Sequence, residues 1–286
     1  RVATGLLDAR AVAGDAGLVI ALRSTVLAHW RRDAKKQLAA IRRDREARLE
    51  RSGWLAYEAV PDLKNSGGGL RDAVLLRAIA ATWLVDLPMD TVRELTSELL
   101  DFRDDLQEAA GRRGDKLLPE YVRDSQADIR VRDIGRRIFH LVERAWHRLD
   151  VLERDPHRRV GSSGPKIERL ADGVGVLDGE VVLLAGATIS LELLFRLATA
   201  AARRELPINE ASLNRLVRDL KPAEFNESTN RALIELLTVG RSLVPVWLQL
   251  DFTGLIDVFL PEWAGIRLRG SSSPVHRFTI DRHSLE

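Results

Sequence analysis

Residues Pro61–Asp72 read PDLKNSGGGLRD, and this stretch organises the first half of the chain. Three consecutive glycines let a backbone adopt positive φ and approach a ligand or another element closely. They stand where an apolar helical pattern begins at Leu70. The cations Lys64 and Arg71 on either side of the glycines suggest an anionic neighbour, most simply a phosphate. The alternative is a structural helix entry in which Asp62 and Arg71 form an ion pair.

Helical spacing of apolar residues continues on both sides of this glycine block. From Ala16 to about Arg51 it predicts one long amphipathic helix, or two in succession, with an arginine-rich face in water. Residues Trp54–Leu63 lack helical spacing, and Pro61 prevents a helix from continuing there, so we expect a short strand. Further helices are predicted over about 70–85, 91–110 and 123–152.

The composition changes at Asp155–Pro165, where DPHRRVGSSGP is typical of a linker between domains. Beyond it the apolar period approaches two, and Asp178-Gly179 is a strong hairpin signal. Helical spacing then returns over 190–204, 209–220, 227–239 and 242–258. The chain is therefore predicted to be mainly α, with helical bundle-like domains, a short strand and a β-hairpin.

Composition limits the function classes. With 45% hydrophobic and 30% charged residues, the 286-residue chain is typical of a globular domain protein. No apolar run approaches the roughly 18 residues needed to span a bilayer, so we expect no membrane association. The 44 basic residues are offset by 42 acidic ones, which argues against nucleic acid as a partner. The absence of cysteine excludes disulfides and thiolate chemistry and fits a cytoplasmic location.

Histidine and tryptophan give weaker signals. We interpret four of the six histidines as structural or solvated, because their spacing suits no shared metal: His29, His140, His147 and His157. The six tryptophans beside arginine-rich helices permit an RNA-binding interpretation. Most of them stand within apolar runs, so core packing is the favoured role.

The glycine block resembles the PDLK-x-G-x-GGLRD signature of the bifunctional [protein-PII] uridylyltransferase/uridylyl-removing enzymes. HRFTIDRHSL, at His276–Leu285, is similar to the H-x-Y-T-V-D-x-H-T-L segment that opens their HD phosphohydrolase domain. GLLDARAVAGD at Gly5–Asp15 and GLIDVFLPEWAGI at Gly254–Ile266 resemble two further blocks of that family. Four blocks in the family's order are much more specific than any one of them.

The resemblance implies an arrangement of domains. The helical part would be attached to the tail of a nucleotidyltransferase α/β domain. The implied segments are the end of the transferase domain (1–64), its helical companion (65–155), a connector with the β-hairpin (156–272) and the start of the HD domain (273–286).

The resemblance also implies a chemistry. Mg²⁺ would orient UTP or ATP for attack by a tyrosine of the PII protein, with glutamine as effector, and a second divalent metal would serve the HD site. The implied nucleotide contacts are Lys64, Gly67, Gly68, Gly69 and Arg71. Asp62 and Asp72 would clamp the helical region structurally, and His283 matches the first metal ligand of the HD site.

The chain departs from the family pattern in two places. It contains no Asp-x-Asp pair, which is the family's transferase motif, and the His-Asp doublet of the HD domain is absent. We therefore expect a central fragment, cut at both ends and inactive alone. Two alternatives stay open: an enzyme like the glutamine synthetase adenylyltransferases, which lack the HRFTIDRHSL-like segment, or a non-catalytic helical scaffold that binds PII.

Overall fold

The computed structural model describes residues 2–122, 124–154, 167–270 and 276–286. Helices dominate the first half of this part. They are α1 (Val2–Leu7), α2 (Ala16–Arg32), α3 (Ala34–Ser52), α4 (Leu70–Ala80), α5 (Met89–Ala110) and α6 (Ser125–Arg154), with a 3₁₀ turn at Pro119–Tyr121.

The second half begins with a small antiparallel sheet and continues with helices. Its strands are β1 (Glu168–Ala171), β2 (Val174–Leu177) and β3 (Glu180–Leu183), in the order β1-β2-β3. Its helices are α7 (Leu191–Arg204), α8 (Glu210–Asp219), α9 (Glu227–Leu237), α10 (Leu243–Phe252) and α11 (Ile280–Ser284), with 3₁₀ turns at Gly240–Ser242, Ile256–Val258 and Pro261–Gly265. The predicted mainly α class with a β-hairpin is confirmed.

The chain forms two compact units. Unit 1 comprises 1–154 and 268–279, and unit 2 comprises 155–267 and 280–286. The predicted linker 155–165, with His157, lies outside the described residues and falls at the sequence boundary between the units. The four-segment domain assignment stays a prediction.

Unit 1 is built around α4, which packs against α5 and α6. Ala73, Leu76 and Ile79 of α4 are completely buried, and Val92 and Ile138 meet the same core from α5 and α6. These positions follow the i, i+3, i+6/i+7 spacing that places apolar side chains on one helix face. The helical spacing after the glycine block therefore marks the centre of unit 1.

The predicted helical region 16–51 forms two helices in succession. Asp15 caps α2, because its carboxylate accepts a hydrogen bond from the Gly17 amide at 2.8 Å. Helix α2 ends at Arg32. The amide of the next residue, Asp33, still donates to the His29 carbonyl at 3.0 Å, and α3 starts at Ala34. The predicted arginine-rich solvated face of α3 is wrong in part, since Arg45 and Arg48 are buried.

The predicted strand over Trp54–Leu63 is wrong. This segment turns on itself, with the Tyr57 and Glu58 amides both donating to the Trp54 carbonyl. Its remaining pairs are isolated bridges to three separate places: Trp54 with Gly67, Glu58 with Phe278, and Asp62 with Lys116. No two neighbouring residues share one partner strand, so no ladder can extend. We call residues 54–60 the bridging segment.

The predicted hairpin of unit 2 is confirmed. Strands β2 and β3 pair from Val174 with Leu183 to Leu177 with Glu180. Asp178 and Gly179 between them have φ values of 55° and 80°, the two positive values that a type I′ turn requires.

The core of unit 2 lies between this sheet and the helices around α7. Phe195 of α7 is fully buried and meets Phe259 edge to face at 4.9 Å. The Asp251 carboxylate of α10 is also buried. It accepts hydrogen bonds from Trp263 Nε1 at 2.9 Å and from Arg267 Nε at 2.6 Å. Burial alone would lower the pKa of Arg267, but hydrogen bonds to Asp257 and Asp251 outweigh it and raise that pKa.

Within the described ranges, no single helix has the length and apolar character needed to cross a membrane. One sharply bent pair, Glu227–Leu237 with Gly240–Phe252, meets the criterion by length and composition only.

The glycine block reaches α6 by close backbone approach. Gly68 has φ +84°, and a Cβ added there would lie 2.1 Å from the Gly135 carbonyl oxygen of α6. A Cβ added at Gly135 would in turn lie 2.1 Å from Leu55 Cδ2. A side chain at Gly68 would therefore push α6 away from the block, and one at Gly135 would push α6 away from the bridging segment.

We expect Gly68→Ala to lower the unfolding free energy by about 3 kcal/mol, since it adds a steric overlap to the strain of positive φ. Gly111→Ala is the matched control, because Gly111 has φ +63° but nothing within 4 Å of an added Cβ. The control should lose only about 1 kcal/mol. Denaturant unfolding followed by far-UV circular dichroism measures both, and equal losses would contradict the packing argument.

Candidate functional site

The glycine block opens with a turn held by Asp62. Its carboxylate accepts hydrogen bonds from the Lys64 amide at 2.9 Å, from the Asn65 amide at 2.7 Å and from Asn65 Nδ2 at 3.0 Å. The Asp62 amide donates to Ser66 Oγ, which donates onward to the Ser52 carbonyl at the end of α3. Asp62 thus shapes the loop itself, and the alternative in which it pairs with Arg71 is not the arrangement found.

The three glycine amides donate hydrogen bonds within the protein. Gly67 donates to the Gly53 carbonyl at 2.8 Å, and Gly69 donates to the Ser66 carbonyl at 2.9 Å. Gly68 donates to Asp72 Oδ2 at 3.0 Å. Added Cβ atoms at Gly67 and Gly69 would also lie within 2.6 Å of neighbouring atoms. The geometry therefore supports a packing role for the glycines, and their contact with nucleotide stays a prediction.

Asp72 is the buried centre of the block. Its side chain is completely shielded from solvent and lies at the start of α4. Arg48 Nη2 approaches Asp72 Oδ1 at 2.6 Å, and Arg45 Nε approaches Asp72 Oδ2 at 3.3 Å. Both arginines come from α3 and are 5–6% exposed. Asp72 therefore clamps α3 onto the entry of α4, with two arginines as its partners.

The same arginines extend the clamp to neighbouring elements. Arg45 Nη1 pairs with Glu143 of α6 at 2.9 Å, and its guanidinium lies 5.3 Å from the Phe139 ring. Arg48 Nη1 reaches the Asn65 carbonyl at 3.5 Å. One buried carboxylate thus joins α3, α4, α6 and the loop of the glycine block.

A second tie between α3 and α6 lies nearer the surface. Arg42 Nη2 donates to Asp150 Oδ2 at 2.9 Å, and its guanidinium stacks 5.1 Å from the Trp146 ring. The hydrogen bond to Asp150 raises the pKa of Arg42 above its ordinary value. This pair supports the frame on which the glycine block rests.

Arg132 of α6 holds the bridging segment. It is 2% exposed, and its Nη1 donates to the Glu58 carbonyl at 2.7 Å and to the Ala56 carbonyl at 3.3 Å. Its Nη2 donates to the Ala59 carbonyl at 3.3 Å, and its Nε donates to Asp128 at 2.9 Å. A buried charge with these partners is well compensated. The backbone that leads into Pro61 is therefore fixed from α6.

Residues 276–279 pair with the bridging segment on its other side. The Ala59 amide donates to the Arg277 carbonyl at 2.7 Å, and the Thr279 amide donates to the Tyr57 carbonyl at 2.9 Å. Thr279 is completely buried. Two of the blocks that suggested the family resemblance are therefore joined, because HRFTIDRHSL pairs with the segment leading into PDLKNSGGGLRD.

Lys64 and Arg71 stand apart from this network. Lys64 is exposed and Arg71 is half-buried, and the Arg71 amide donates to the Lys64 carbonyl at 3.2 Å. In the part of the chain that the structure describes, neither side chain has a hydrogen bond or an ion pair. The block therefore carries two cations that no carboxylate of the described residues pairs with, an arrangement suited to an anion.

His283 lies in α11 and is exposed. Among the described residues, no three His, Cys, Asp or Glu side chains are placed to hold a metal ion. The predicted metal role of His283 stays a prediction.

The sequence interpretation missed the buried arginines. Leu38, Ile41, Arg45, Arg48 and Ser52 follow one another at three- and four-residue steps, so the arginines continue the apolar face of α3. That register was the available signal, and the many other arginines of α3 concealed it. The burial of Arg132 had no comparable signal, because, apart from Asp128, its partners are backbone carbonyls 73–76 residues away.

Of three comparisons with known proteins, the one with curated proteins gives matches. No protein-family model matches the chain, and no solved structure matches it. The chain is 37% identical over its whole length to the bifunctional uridylyltransferase/uridylyl-removing enzyme of Streptomyces coelicolor. It is 33% identical over 99% of its length to the enzyme of the same name from Mycobacterium tuberculosis, and 31% identical over 99% to that from Corynebacterium glutamicum.

The chain spans only 37–42% of the length of these relatives. The resemblance inferred from the four sequence blocks is confirmed: the chain is similar from end to end to part of the bifunctional uridylyltransferase/uridylyl-removing enzymes.

We expect Asp72→Asn to lower the unfolding free energy by about 3–5 kcal/mol, because it removes the buried charge that Arg45 and Arg48 share and leaves Arg48 without a counter-charge. Asp90→Asn is the matched control, since Asp90 pairs with Arg93 at the surface, where the two side chains are 83% and 67% exposed. That control should change the unfolding free energy by less than about 1 kcal/mol. Chemical denaturation of both variants tests the clamp, and it would be rejected if Asp72→Asn behaved like the surface variant.

Proposed function

We propose that this chain is part of an enzyme that uridylylates the nitrogen regulatory protein PII on a tyrosine and removes the group hydrolytically, in response to glutamine. The end-to-end similarity to enzymes named for both activities carries the proposal. Their shared name favours a uridylyl over an adenylyl group. Because the chain spans 37–42% of these relatives, the activities are proposed for the longer protein.

The proposed transfer and removal are both substitutions at one phosphorus atom. In transfer, the tyrosine oxygen bonds to the α-phosphorus of UTP, the bond from that phosphorus to the bridging oxygen breaks, and pyrophosphate leaves. In removal, water attacks the same phosphorus, the bond from that phosphorus to the tyrosine oxygen breaks, UMP is released and the tyrosine hydroxyl is regenerated.

Lys64 and Arg71 are the residues of this chain that we propose to contact the nucleotide. The backbones of the two residues are neighbours, because the Arg71 amide donates to the Lys64 carbonyl at 3.2 Å. An arginine fork can grip two phosphate oxygens at once, and a lysine supplies a point charge beside it. Asp72 and Asp62 support this role indirectly by fixing the loop that carries both cations.

The described residues do not fit either implied metal. Mg²⁺ and the HD-site metal both require clustered carboxylate or imidazole groups, and no such group of three is found in the described residues. The sequence has no Asp-x-Asp pair. The metal ligation predicted for His283 stays a proposal, as does the cytoplasmic location.

We expect Lys64→Ala and Arg71→Ala, made in the full-length natural polypeptide, each to raise the KM for UTP about tenfold with an unchanged melting temperature. Arg112→Ala is the control, because Arg112 is an exposed arginine of unit 1 outside the block. Steady-state kinetics and thermal unfolding measure the two effects. Lost stability at unchanged KM would instead assign both cations to a structural clamp.

We expect the purified 286-residue chain to transfer no uridylyl group to PII when supplied with UTP and Mg²⁺, since it lacks the Asp-x-Asp pair. Incorporation of radiolabelled UMP into PII measures this, with the full-length polypeptide as the positive control. Clear turnover by the chain alone would contradict the incomplete-site interpretation. Binding of PII without turnover by either protein would favour the scaffold alternative.

A further inference from the structure

Trp83 is presented to solvent in a strained conformation. Four of the six tryptophans are 3–5% exposed (Trp30, Trp146, Trp247 and Trp263), which confirms core packing for them, whereas Trp83 is 75% exposed. Its φ of 62° lies in the left-handed region, which is unfavourable for a bulky side chain. Strain of this kind persists only where the surrounding structure maintains it, and it is concentrated at functional sites. Trp83 is therefore the aromatic residue of unit 1 whose position packing does not explain.

The turn that carries Trp83 is rigid. The buried Thr82 hydroxyl donates to the Ile79 carbonyl at 2.6 Å and accepts from the Leu84 amide at 3.2 Å. The Trp83 amide donates to the Ala80 carbonyl at 3.1 Å. The backbone that carries the indole is thus fixed before any partner arrives, which reduces the entropy lost on binding.

Arg31 of α2 completes this surface. Its guanidinium carbon lies 3.3 Å from the centroid of the Trp83 ring, and its Nε donates to the Ala81 carbonyl at 3.1 Å. Across the described ranges, no carboxylate pairs with Arg31. The stack covers one face of the indole and leaves a fixed cation beside it. Tryptophan and arginine are the residue types that contribute most to protein–protein binding energy.

We propose that Trp83, Leu84 and Arg31 form a docking platform for an acidic segment of another protein. Leu84, at 41% exposure, extends the apolar surface for an apolar side chain of the partner. Arg31 donates to a carboxylate of the partner. Residues 31–36 read RRDAKK, four basic residues with one acidic, so the charge around Arg31 favours an acidic partner. The identity of the partner rests on the proposed function: the partner is PII, the protein that accepts the uridylyl group.

Single-stranded RNA is the other polymer that binds aromatic and basic side chains. The Arg31 guanidinium disfavours it, because it already occupies one face of the indole, on which a base would stack.

Surface plasmon resonance tests the platform, with the 286-residue chain passed over immobilised PII protein and over an immobilised uridine oligonucleotide. We expect PII to bind, Trp83→Ala to weaken that binding at least tenfold, and Arg31→Gln to weaken it and reduce its salt dependence. Leu100→Ala is the matched control, because Leu100 is 40% exposed on α5 and its loss should leave the affinity unchanged.

Trp83→Gly separates binding from folding. Glycine tolerates positive φ, so this variant should raise the melting temperature by about 2–4 °C while losing the affinity for PII. Equal binding of PII by the unsubstituted chain and Trp83→Ala would overturn the platform and leave the proposed function standing. Absence of PII binding, or binding of the oligonucleotide through Trp83, would overturn it as well. The proposed function is tested separately, by measuring uridylyl transfer with the full-length polypeptide.

Discussion

The carboxylate of Asp72 is the interaction on which unit 1 depends. It is fully buried, and the arginines that neutralise it come from α3, the helix that precedes the glycine block. A buried charge is stable only when paired and hydrogen-bonded, so Arg45 and Arg48 must be in place for α4 to start where it does. Gly68 supplies the third donor through its amide. The start of the central helix is thereby tied to α3 and to the glycine loop that precedes it.

This tie explains why three glycines stand where they do. The amide of Gly68 reaches Asp72 only because the loop backbone lies against Gly135 of α6, where an added Cβ would be 2.1 Å from a carbonyl oxygen. Electrostatic pairing and steric fit therefore constrain the same few residues. The side chains that escape both constraints are Lys64 and Arg71. The block thus combines a rigid interior with two exposed or half-exposed cations on its outer side.

The sequence indicated the helices, the type I′ hairpin and the importance of the glycine block, because each depends on local periodicity or on backbone requirements of a few residues. It did not indicate the partners of Asp72, since three- and four-residue spacing allows either apolar or arginine side chains to occupy the buried face of α3. The sequence also predicted a strand at Trp54–Leu63. The conformation of this segment depends instead on bridges to Gly67, Phe278 and Lys116. Contacts made over such separations carry no local signature. Motif resemblance found the family, but the geometry was needed to divide the block into packing residues and exposed cations.

The bridges between the bridging segment and residues 276–279 affect how the protein is made. Arg277 contacts Glu58 across 219 residues, so the ribosome must synthesise residues 155–267 of unit 2 before unit 1 can be completed. Closing so long a loop adds little entropy cost beyond that of a shorter one, but it delays the final step. Until then, the Tyr57 carbonyl and the Ala59 amide lack the partners they have in the native fold. A nascent chain is thus expected to expose an unpaired edge at 57–59 during translation, a place for a chaperone to act or for aggregation to start.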